Sequence, residues 1–329
     1  MKAIQIQENG GPEVLKLVDL PTPEPGPGQV LIRVKGTSVN YADIKARQGR
    51  YHGAPPLPFI PGLDVLGQIV AIHPDSPPVF SEGQWVVAFP RTGSYAEYTV
   101  ADIAHTFALP PGVSHDQAQA ALLVGVTADQ VLRVKGGLAP GDSVLIHSAA
   151  GGVGSTAVKL AHIYGAGKIW GSIGREEKRA WVEQLGVDGV FIYRGRTYAD
   201  DLLAQSGGRG VNVILNGLGG GTLSEDMRCL APLGRLVVFG DTLGPNLIAP
   251  TALYPTNRSV IGFSFGHLRR ERPDQVAAMV APVMDLLQSG QLSVTISERF
   301  SLDEARLAHD LMDRGQTVGK ILIDVAELT

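Results

Sequence analysis

The stretch Ser143-Val144-Leu145-Ile146-His147-Ser148-Ala149-Ala150-Gly151-Gly152-Val153-Gly154 constrains this chain more than any other. A short apolar run turns through small residues into an apolar-periodic segment, Ser155 to Tyr164, the pattern of a strand, a tight turn and a helix. Ala149, Gly151 and Gly154 stand at the glycine positions of the dinucleotide-binding turn G-x-G-x-x-G, with alanine replacing the first glycine. The three positions serve, in order, a tight turn, close backbone approach to a pyrophosphate, and close packing of helix on strand. The N–H groups of Gly151, Gly152, Val153 and Gly154 would then face an anionic phosphate. A small-residue turn can also exist only to pack a helix on a sheet, so context decides between the two. Strand-like runs follow at Lys168–Ile173, Gly189–Tyr193, Val211–Leu215, Arg235–Phe239 and Ser259–Phe263, with helical patterns at Glu176–Leu185 and Leu223–Leu230 between them. Repetition of that kind implies an α/β class with a parallel, doubly wound sheet.

At 329 residues the chain exceeds one ordinary core. Residues 1 to about 120 have a different texture: short, partly alternating runs at Ala3–Ile6, Val14–Val18, Gln29–Val34, Val65–Ile72, Gln84–Phe89 and Tyr95–Val100, punctuated by Gly and Pro. They imply a small barrel-like domain. Within it, Asn40 to Gly49 reads as a short helix with Asn40 as N-cap, Asp43 in the first turn and Gly49 as the stop. Asp116 to Val134 is a long helical stretch. Past Phe263 the sequence predicts a helix from Pro273 to Gln288, two strands, and a final strand Lys320–Asp324. Those last pieces exceed the needs of one dinucleotide fold and are expected to return to the first domain. The division expected is therefore 1–122 with 266–329, and 123–265 as a dinucleotide-binding insertion.

Charge and cysteine usage exclude several classes. A net charge of −4 provides no basic field for nucleic acid or an anionic membrane. Cys229 is the single cysteine and forms neither an internal disulfide nor a multi-cysteine zinc cluster, as suits a reducing compartment. No apolar run reaches transmembrane length and Met1 to Gly11 lacks a signal-peptide core, so a cytoplasmic location is expected. The eight histidines are scattered without metal-ligand spacing on a helix.

Several motifs in order carry a resemblance: Gly10-Gly11-Pro12-Glu13-Val14-Leu15, Val39-Asn40-Tyr41-Ala42-Asp43, Pro61-Gly62-Leu63-Asp64, Gly93-Ser94-Tyr95-Ala96-Glu97-Tyr98, Val126-Thr127-Ala128, Ala149-Ala150-Gly151-Gly152-Val153-Gly154 and Gly319-Lys320. Together they resemble the medium-chain dehydrogenase/reductase superfamily, and within it the zinc-independent, zeta-crystallin-like quinone oxidoreductases. The resemblance implies a GroES-like β-barrel catalytic domain joined to a Rossmann domain. Asp64 departs from the usual Glu, and Asp129-Gln130 replace the usual aromatic pair. Zinc-dependent relatives carry Cys, His and Cys at positions corresponding to Asn40, Leu63 and about Leu123, so no metal is expected here. Without a Lewis acid the hydride acceptor must itself be electrophilic, as a quinone or α,β-unsaturated carbonyl is.

The resemblance also implies site residues. Asn40 and Tyr51 border substrate and nicotinamide in similar enzymes and would donate hydrogen bonds to a developing oxyanion; Asn40 is equally an N-cap, and for Tyr51 an exposed loop tyrosine is the less favoured alternative. Thr127 resembles the threonine that meets the nicotinamide, with a helix threonine bonding its own backbone as the alternative. Asp43 and Asp64 read mainly as structural. At the end of the second strand an NAD enzyme places an acid, whereas this chain has Ser172, followed by Arg175 and Lys178, with Tyr193 ending the third strand. That arrangement resembles NADPH-binding members; a solvated Arg-Glu-Glu-Lys face is the alternative. Asn216, Gly217, Phe239, Gly240, Phe263, Gly319 and Lys320 complete the expected cofactor set. The function expected is NADPH-dependent hydride delivery to a quinone or other conjugated carbonyl. The alternatives are a 2-enoyl-thioester (enoyl-CoA) reductase and a non-enzymatic dinucleotide-binding or RNA-binding protein. The apolar run Ser259–Phe265 at the expected sheet edge implies a homodimer.

Overall fold

A computed structural model describes residues 1–326 apart from 92, 196, 242, 245 and 246. The chain divides into two units, Met1–Leu123 with Gly266–Thr329, and Val124–Phe265. Its strands in chain order are β1 (Lys2–Ile6), β2 (Leu15–Asp19), β3 (Gln29–Val39), β4 (Val65–Ile72), β5 (Trp85–Ala88), β6 (Tyr98–Asp102), β7 (Thr106–Ala108), β8 (Ser143–Ile146), β9 (Lys168–Ile173), β10 (Gly189–Ile192), β11 (Val211–Asn216), β12 (Leu230–Val238), β13 (Ser259–Gly262), β14 (Ile296–Ser301) and β15 (Lys320–Asp324). The helices are α1 (Tyr41–Arg47), α2 (His115–Asp129), α3 (Gly152–Ile163), α4 (Arg179–Glu183), α5 (Ala199–Gln205), α6 (Leu223–Cys229), α7 (Phe265–Glu271), α8 (Val276–Gln288) and α9 (Ala305–Asp313).

The second unit is the expected parallel sheet, in the order β10-β9-β8-β11-β12-β13. Its inner strands β8, β9 and β11 are buried almost throughout. That burial is why their sequences are continuous apolar runs rather than alternations. The order reverses between β8 and β11, the point at which a doubly wound sheet opens its ligand crevice.

In the first unit β3 is the spine, pairing with β4, β6 and β15. Register shifts after Leu31 and Val34 let one long strand serve several partners. At Gly36 an added Cβ would stand 2.4 Å from the Gln119 amide nitrogen, which donates to the Thr37 carbonyl at 2.7 Å and the Ile323 carbonyl at 3.2 Å. Glycine there lets α2 bind two sheet strands at once.

Two expectations need correction. The segment after α8 holds one strand, β14, and then α9, not two strands. Ser301 and Glu304 form a capping box ahead of α9, and Leu302, Ala305, Ala308 and His309 turn inward at helical spacing. The long helix from Asp116 is α-helical only to Asp129, and Gln130–Lys135 continues as π-helix, with the Gly136 N–H bonded to the Val131 carbonyl at 2.9 Å. Arg133 grips the buried Asp129 carboxylate with two bonds of 2.7 Å and Tyr164 adds a third of 2.7 Å, so the residue that replaces an aromatic is a satisfied buried charge. Among the described residues no helix is long and apolar enough to cross a membrane.

Ser301→Ala should cost roughly 1 kcal/mol through loss of the cap. The check is a lower denaturation midpoint with unchanged slope; an unchanged midpoint would show that α9 is held by packing alone.

Candidate active site

In the second unit the chain leaves β8 at Ile146 and turns through His147 to Gly151 into α3. Ser148 takes the left-handed conformation, φ 51°, so the backbone demand falls one residue before Ala149. The Ala149 methyl is fully buried, and a Cβ on Gly171 of β9 would stand 2.9 Å from it. A glycine on the neighbouring strand thus makes room for alanine at the first fingerprint position. A Cβ on Gly154 would meet the Ser148 carbonyl oxygen at 2.2 Å, so only glycine allows α3 to lie this close. Gly151 is the N-cap and offers no side chain, which leaves the first-turn N–H groups of Gly152, Val153 and Gly154 without a side-chain acceptor. Such a helix start receives a phosphate.

The ends of β8 and β11 and the start of α5 meet on one buried carboxylate. Asp226 of α6 receives the His147 ring at 2.7 Å, the Tyr198 hydroxyl at 2.6 Å and the Asn216 amide at 2.7 Å. The other His147 nitrogen bonds the Ser172 hydroxyl at 2.5 Å. Ser172, expected in the cofactor set, is therefore turned inward, fully buried with its hydroxyl committed to His147. Asn216 is also fully buried, and its carbonyl accepts the N–H groups of Leu218 at 2.8 Å and Gly219 at 2.7 Å. Its side chain shapes the loop rather than facing a ligand. Gly217 and Gly240 lie so close that a Cβ on Gly240 would stand 2.2 Å from the Gly217 carbonyl oxygen, and one on Gly217 would stand 3.1 Å from the Phe239 ring. Phe263 is buried, with its N–H on the Val238 carbonyl at 2.9 Å, and Thr127 is half-buried on α2.

At the ends of β9 and β10 positive charge gathers. Burial lowers the Lys178 pKa, and the cations Arg175 and Arg194 lower it further. Arg175 is exposed, and Glu176 beside it is paired with Arg179. The Tyr193 hydroxyl and Arg194 Nε crowd Gly174, where a Cβ would stand 2.7 Å and 3.0 Å from them. Arg194 is not among the residues expected from sequence, although it directly follows Tyr193, which is.

In the first unit Asn40, Asp43, Asp64 and Lys320 form one buried cluster. The Asn40 N–H donates to Asp43 at 2.9 Å, closing the capping box of α1. Its side-chain amide donates to Asp64 at 3.0 Å and the Ser38 carbonyl at 3.1 Å, while its carbonyl accepts Lys320 Nζ at 2.7 Å. Every hydrogen of that amide is engaged. Lys320, expected among the cofactor contacts, instead donates to Asn40 and to the Val39 carbonyl at 2.8 Å. Gly319, φ 60°, lies against the Thr295 carbonyl and turns the chain into β15, a backbone role. Asp64 accepts the Ser38 N–H at 2.8 Å and hydroxyl at 2.6 Å. Tyr51 is half-buried, packs on the neighbouring core and tilts against His52 at 4.9 Å. Its hydroxyl makes no hydrogen bond to any described residue.

Residues 26–111 match the family described as alcohol dehydrogenase GroES-like domain, and residues 152–282 the family described as zinc-binding dehydrogenase. The chain is 34% identical over 326 residues to the human quinone oxidoreductase, covering 98% of this chain and 97% of that protein. Among solved structures, a mycobacterial protein complexed with NADPH superposes with a TM-score of 0.90 at 31% identity, covering 98% of this chain and 99% of the other. The Escherichia coli quinone oxidoreductase complexed with NADPH gives 0.89 at 26% identity, covering 98% and 100%.

Burial raises the Asp43 carboxyl from its ordinary 3.8 to about 7, with the Asp64 charge adding and the Asn40 and Gly62 N–H bonds and Lys320 opposing. The native state then keeps a proton that the unfolded chain releases near pH 4. Stability from this group is complete below about pH 4 and falls as the pH rises toward 7. The stability difference between wild type and Asp43→Asn, followed by denaturation from pH 4 to 8, should move against the wild type over that window. A flat difference would mean that Lys320 keeps Asp43 ionised in the native protein.

Proposed function

The chain belongs to the zeta-crystallin-like quinone oxidoreductase branch of the medium-chain dehydrogenase/reductase superfamily, and we propose that it uses NADPH to reduce a quinone or another conjugated carbonyl without zinc. The observation that carries this reading is the cationic cluster of Arg175, Lys178 and Arg194 with the Tyr193 hydroxyl, at a strand end with no acidic residue in the position that binds a ribose 2′-hydroxyl. It suits the 2′-phosphate of NADPH. The first turn of α3, with Gly151 as N-cap, suits the pyrophosphate. Bound NADPH supplies the hydride.

The donor set around Asn40 does not suit a zinc ion. The Lys320 ammonium already bonds Asn40 at 2.7 Å, the Asp64 oxygens are saturated by Ser38, Asn40 and Thr37, and among the described residues no three His, Cys, Asp or Glu side chains converge. A fixed cation beside the ligand atoms would repel a dication. The amide of Asn40 is engaged, so Tyr51 is the better donor to the oxygen that gains charge when hydride arrives. A single neutral donor suffices only where the acceptor delocalises its own charge, as a hydroquinone anion or an enolate does.

NADPH oxidation with quinones, enones and enoyl-CoA esters tests the reading, with EDTA present throughout. Quinone turnover should survive the chelator, and Tyr51→Phe should lower kcat/KM by about tenfold or less. Turnover confined to enoyl-CoA, with a loss on the order of 10²-fold or more in kcat for Tyr51→Phe, would replace quinone reduction with enoyl-thioester reduction. NADPH bound without turnover would leave only a binding protein.

We also propose a homodimer through β13. It is the edge strand of the parallel sheet, and Ser259 and Val260 are exposed. An uncovered edge of this kind pairs with a copy of itself. Light scattering at micromolar concentration should give twice the 34.8 kDa chain mass; the monomer mass would remove the proposal.

A further inference from the structure

α7 carries two adjacent arginines, and Arg269 is in an unusual setting. It is partly buried, with Cζ 5.4 Å from the centroid of the Phe89 ring. Stacking on an aromatic face holds a guanidinium in place while its N–H edge stays able to bond. Among the described residues this guanidinium has no ion-pair or hydrogen-bond partner. Asp102 and Asp64 are the carboxylates that act on it from a distance, and both are engaged elsewhere: Asp102 with Gln29 at 2.9 Å and Arg91 at 3.4 Å, Asp64 with Ser38 and Asn40. Burial works against its charge and Arg270 adds to that, while Tyr51, Asp102 and Asp64 offset it from a distance without an ion pair. His105, next to it, is pushed toward the neutral form by burial and by Arg269 itself.

Tyr51 belongs to the same group. Its hydroxyl oxygen lies against Gly266, the residue that opens the first unit's part of α7, where a Cβ would stand 2.7 Å away. Arg270 Nη1 would lie 3.0 Å from a Cβ on Gly53, whose other neighbour is the Tyr51 ring at 3.1 Å. Burial raises the Tyr51 phenol and Asp43 adds to that, while the positive charges of Arg269 and Arg270 oppose them. A phenol donor and two guanidinium groups therefore gather in the first unit, and among the described residues no carboxylate pairs with them. A partly desolvated cation without a partner, next to an unengaged hydroxyl, is matched by an anion.

We propose that Arg269, beside Tyr51, forms an anion subsite that selects hydride acceptors bearing a carboxylate. The proposal rests on the reading that Tyr51 flanks the acceptor. The guanidinium would take the carboxylate, leaving the Tyr51 hydroxyl for the oxygen that becomes negative. No bond is made or broken by Arg269. It is a specificity residue, and it acts equally well whichever conjugated carbonyl is reduced.

The test compares 1,4-naphthoquinone-2-carboxylate with its methyl ester as acceptors, and titrates the protein with 2-naphthoate, which no hydride reduces. Arg269→Gln should lower kcat/KM for the carboxylate about 10- to 100-fold more than for the ester, and should weaken 2-naphthoate binding by a similar factor. Arg269→Lys, which keeps the charge but loses the planar fork, should recover part of both and serves as the folding control. The dissociation constant for NADPH should move by less than about twofold. Equal losses on carboxylate and ester, or a loss of NADPH affinity in step with them, would overturn the subsite. If neither quinone is reduced while 2-naphthoate binding still falls in Arg269→Gln, the subsite stands and the reaction assigned above fails. If 2-naphthoate binds both proteins alike, the subsite fails whatever the enzyme reduces.

Discussion

The Asp226 carboxylate is the point on which the second unit depends. A fully buried acid is tolerated only when its oxygens are saturated. Here the saturating donors come from the residue after β8, the end of β11 and the start of α5: His147, Asn216 and Tyr198. Burial and Asp226 drive the Tyr198 phenol far up, so it remains a donor. Through His147 the network reaches Ser172 on β9, and through Asn216 it sets the Leu218 and Gly219 turn. One requirement, that a buried charge be satisfied, aligns the strand ends along which a dinucleotide would lie. Gly154 and the Gly217–Gly240 approach then bring backbone to backbone at spacings no side chain permits.

A second buried acid plays the same part in the first unit, with a different consequence. Asp64 organises Ser38, Asn40 and Thr37, and Lys320 from β15 closes the group by bonding Asn40 and Val39. Burial lowers the Lys320 pKa while Asp64 and Asp43 hold it up, so its charge is matched internally. Because the cluster is closed on itself, it has no hydrogen left to offer a ligand from Asn40. The two roles weighed for Asn40 from sequence, N-cap and oxyanion donor, thus separate: the capping box is present and the amide is engaged.

The parallel sheet was legible in sequence because buried inner strands must be largely apolar, as β9 and β11 are, and the edge run Ser259–Phe263 continued the strand-helix alternation. α9 was not. Its buried positions are Ala305, Ala308 and His309, which look polar or neutral on any apolar count, and its exposed face carries Arg306, Asp310 and Asp313. The capping box at Ser301 and Glu304 was the available signal. Side chains whose partners are distant in sequence were beyond reach. His147 meets Asp226 79 residues later, and Lys320 meets Asn40 280 residues earlier. Nothing local to Ser172 or Lys320 says that their polar atoms turn inward. Exposed local charge was more readable: the basic run after β9 named Arg175 and Lys178, while Arg194, just past the end of β10, joins them in the structure without a local signal after β9.

The closed Lys320 cluster also limits what chemistry the fold can carry. A bound metal polarises a carbonyl because it keeps an open coordination position. The Lys320 ammonium sits beside the same residues with its bonds directed to Asn40 and Val39, and at 2% exposure it presents no such position. In the function proposed above, stabilisation of a reduced acceptor comes from a group outside the cluster. In that reading the group is the Tyr51 hydroxyl, a neutral donor on the unit that carries Asn40 and without a hydrogen bond to any described residue. One neutral donor can support an anion that the acceptor already distributes over a conjugated system, but offers far less to an isolated alkoxide, whose charge stays on one atom. At the Asn40 position, a fold shared with zinc-binding dehydrogenases thus carries a buried lysine contact.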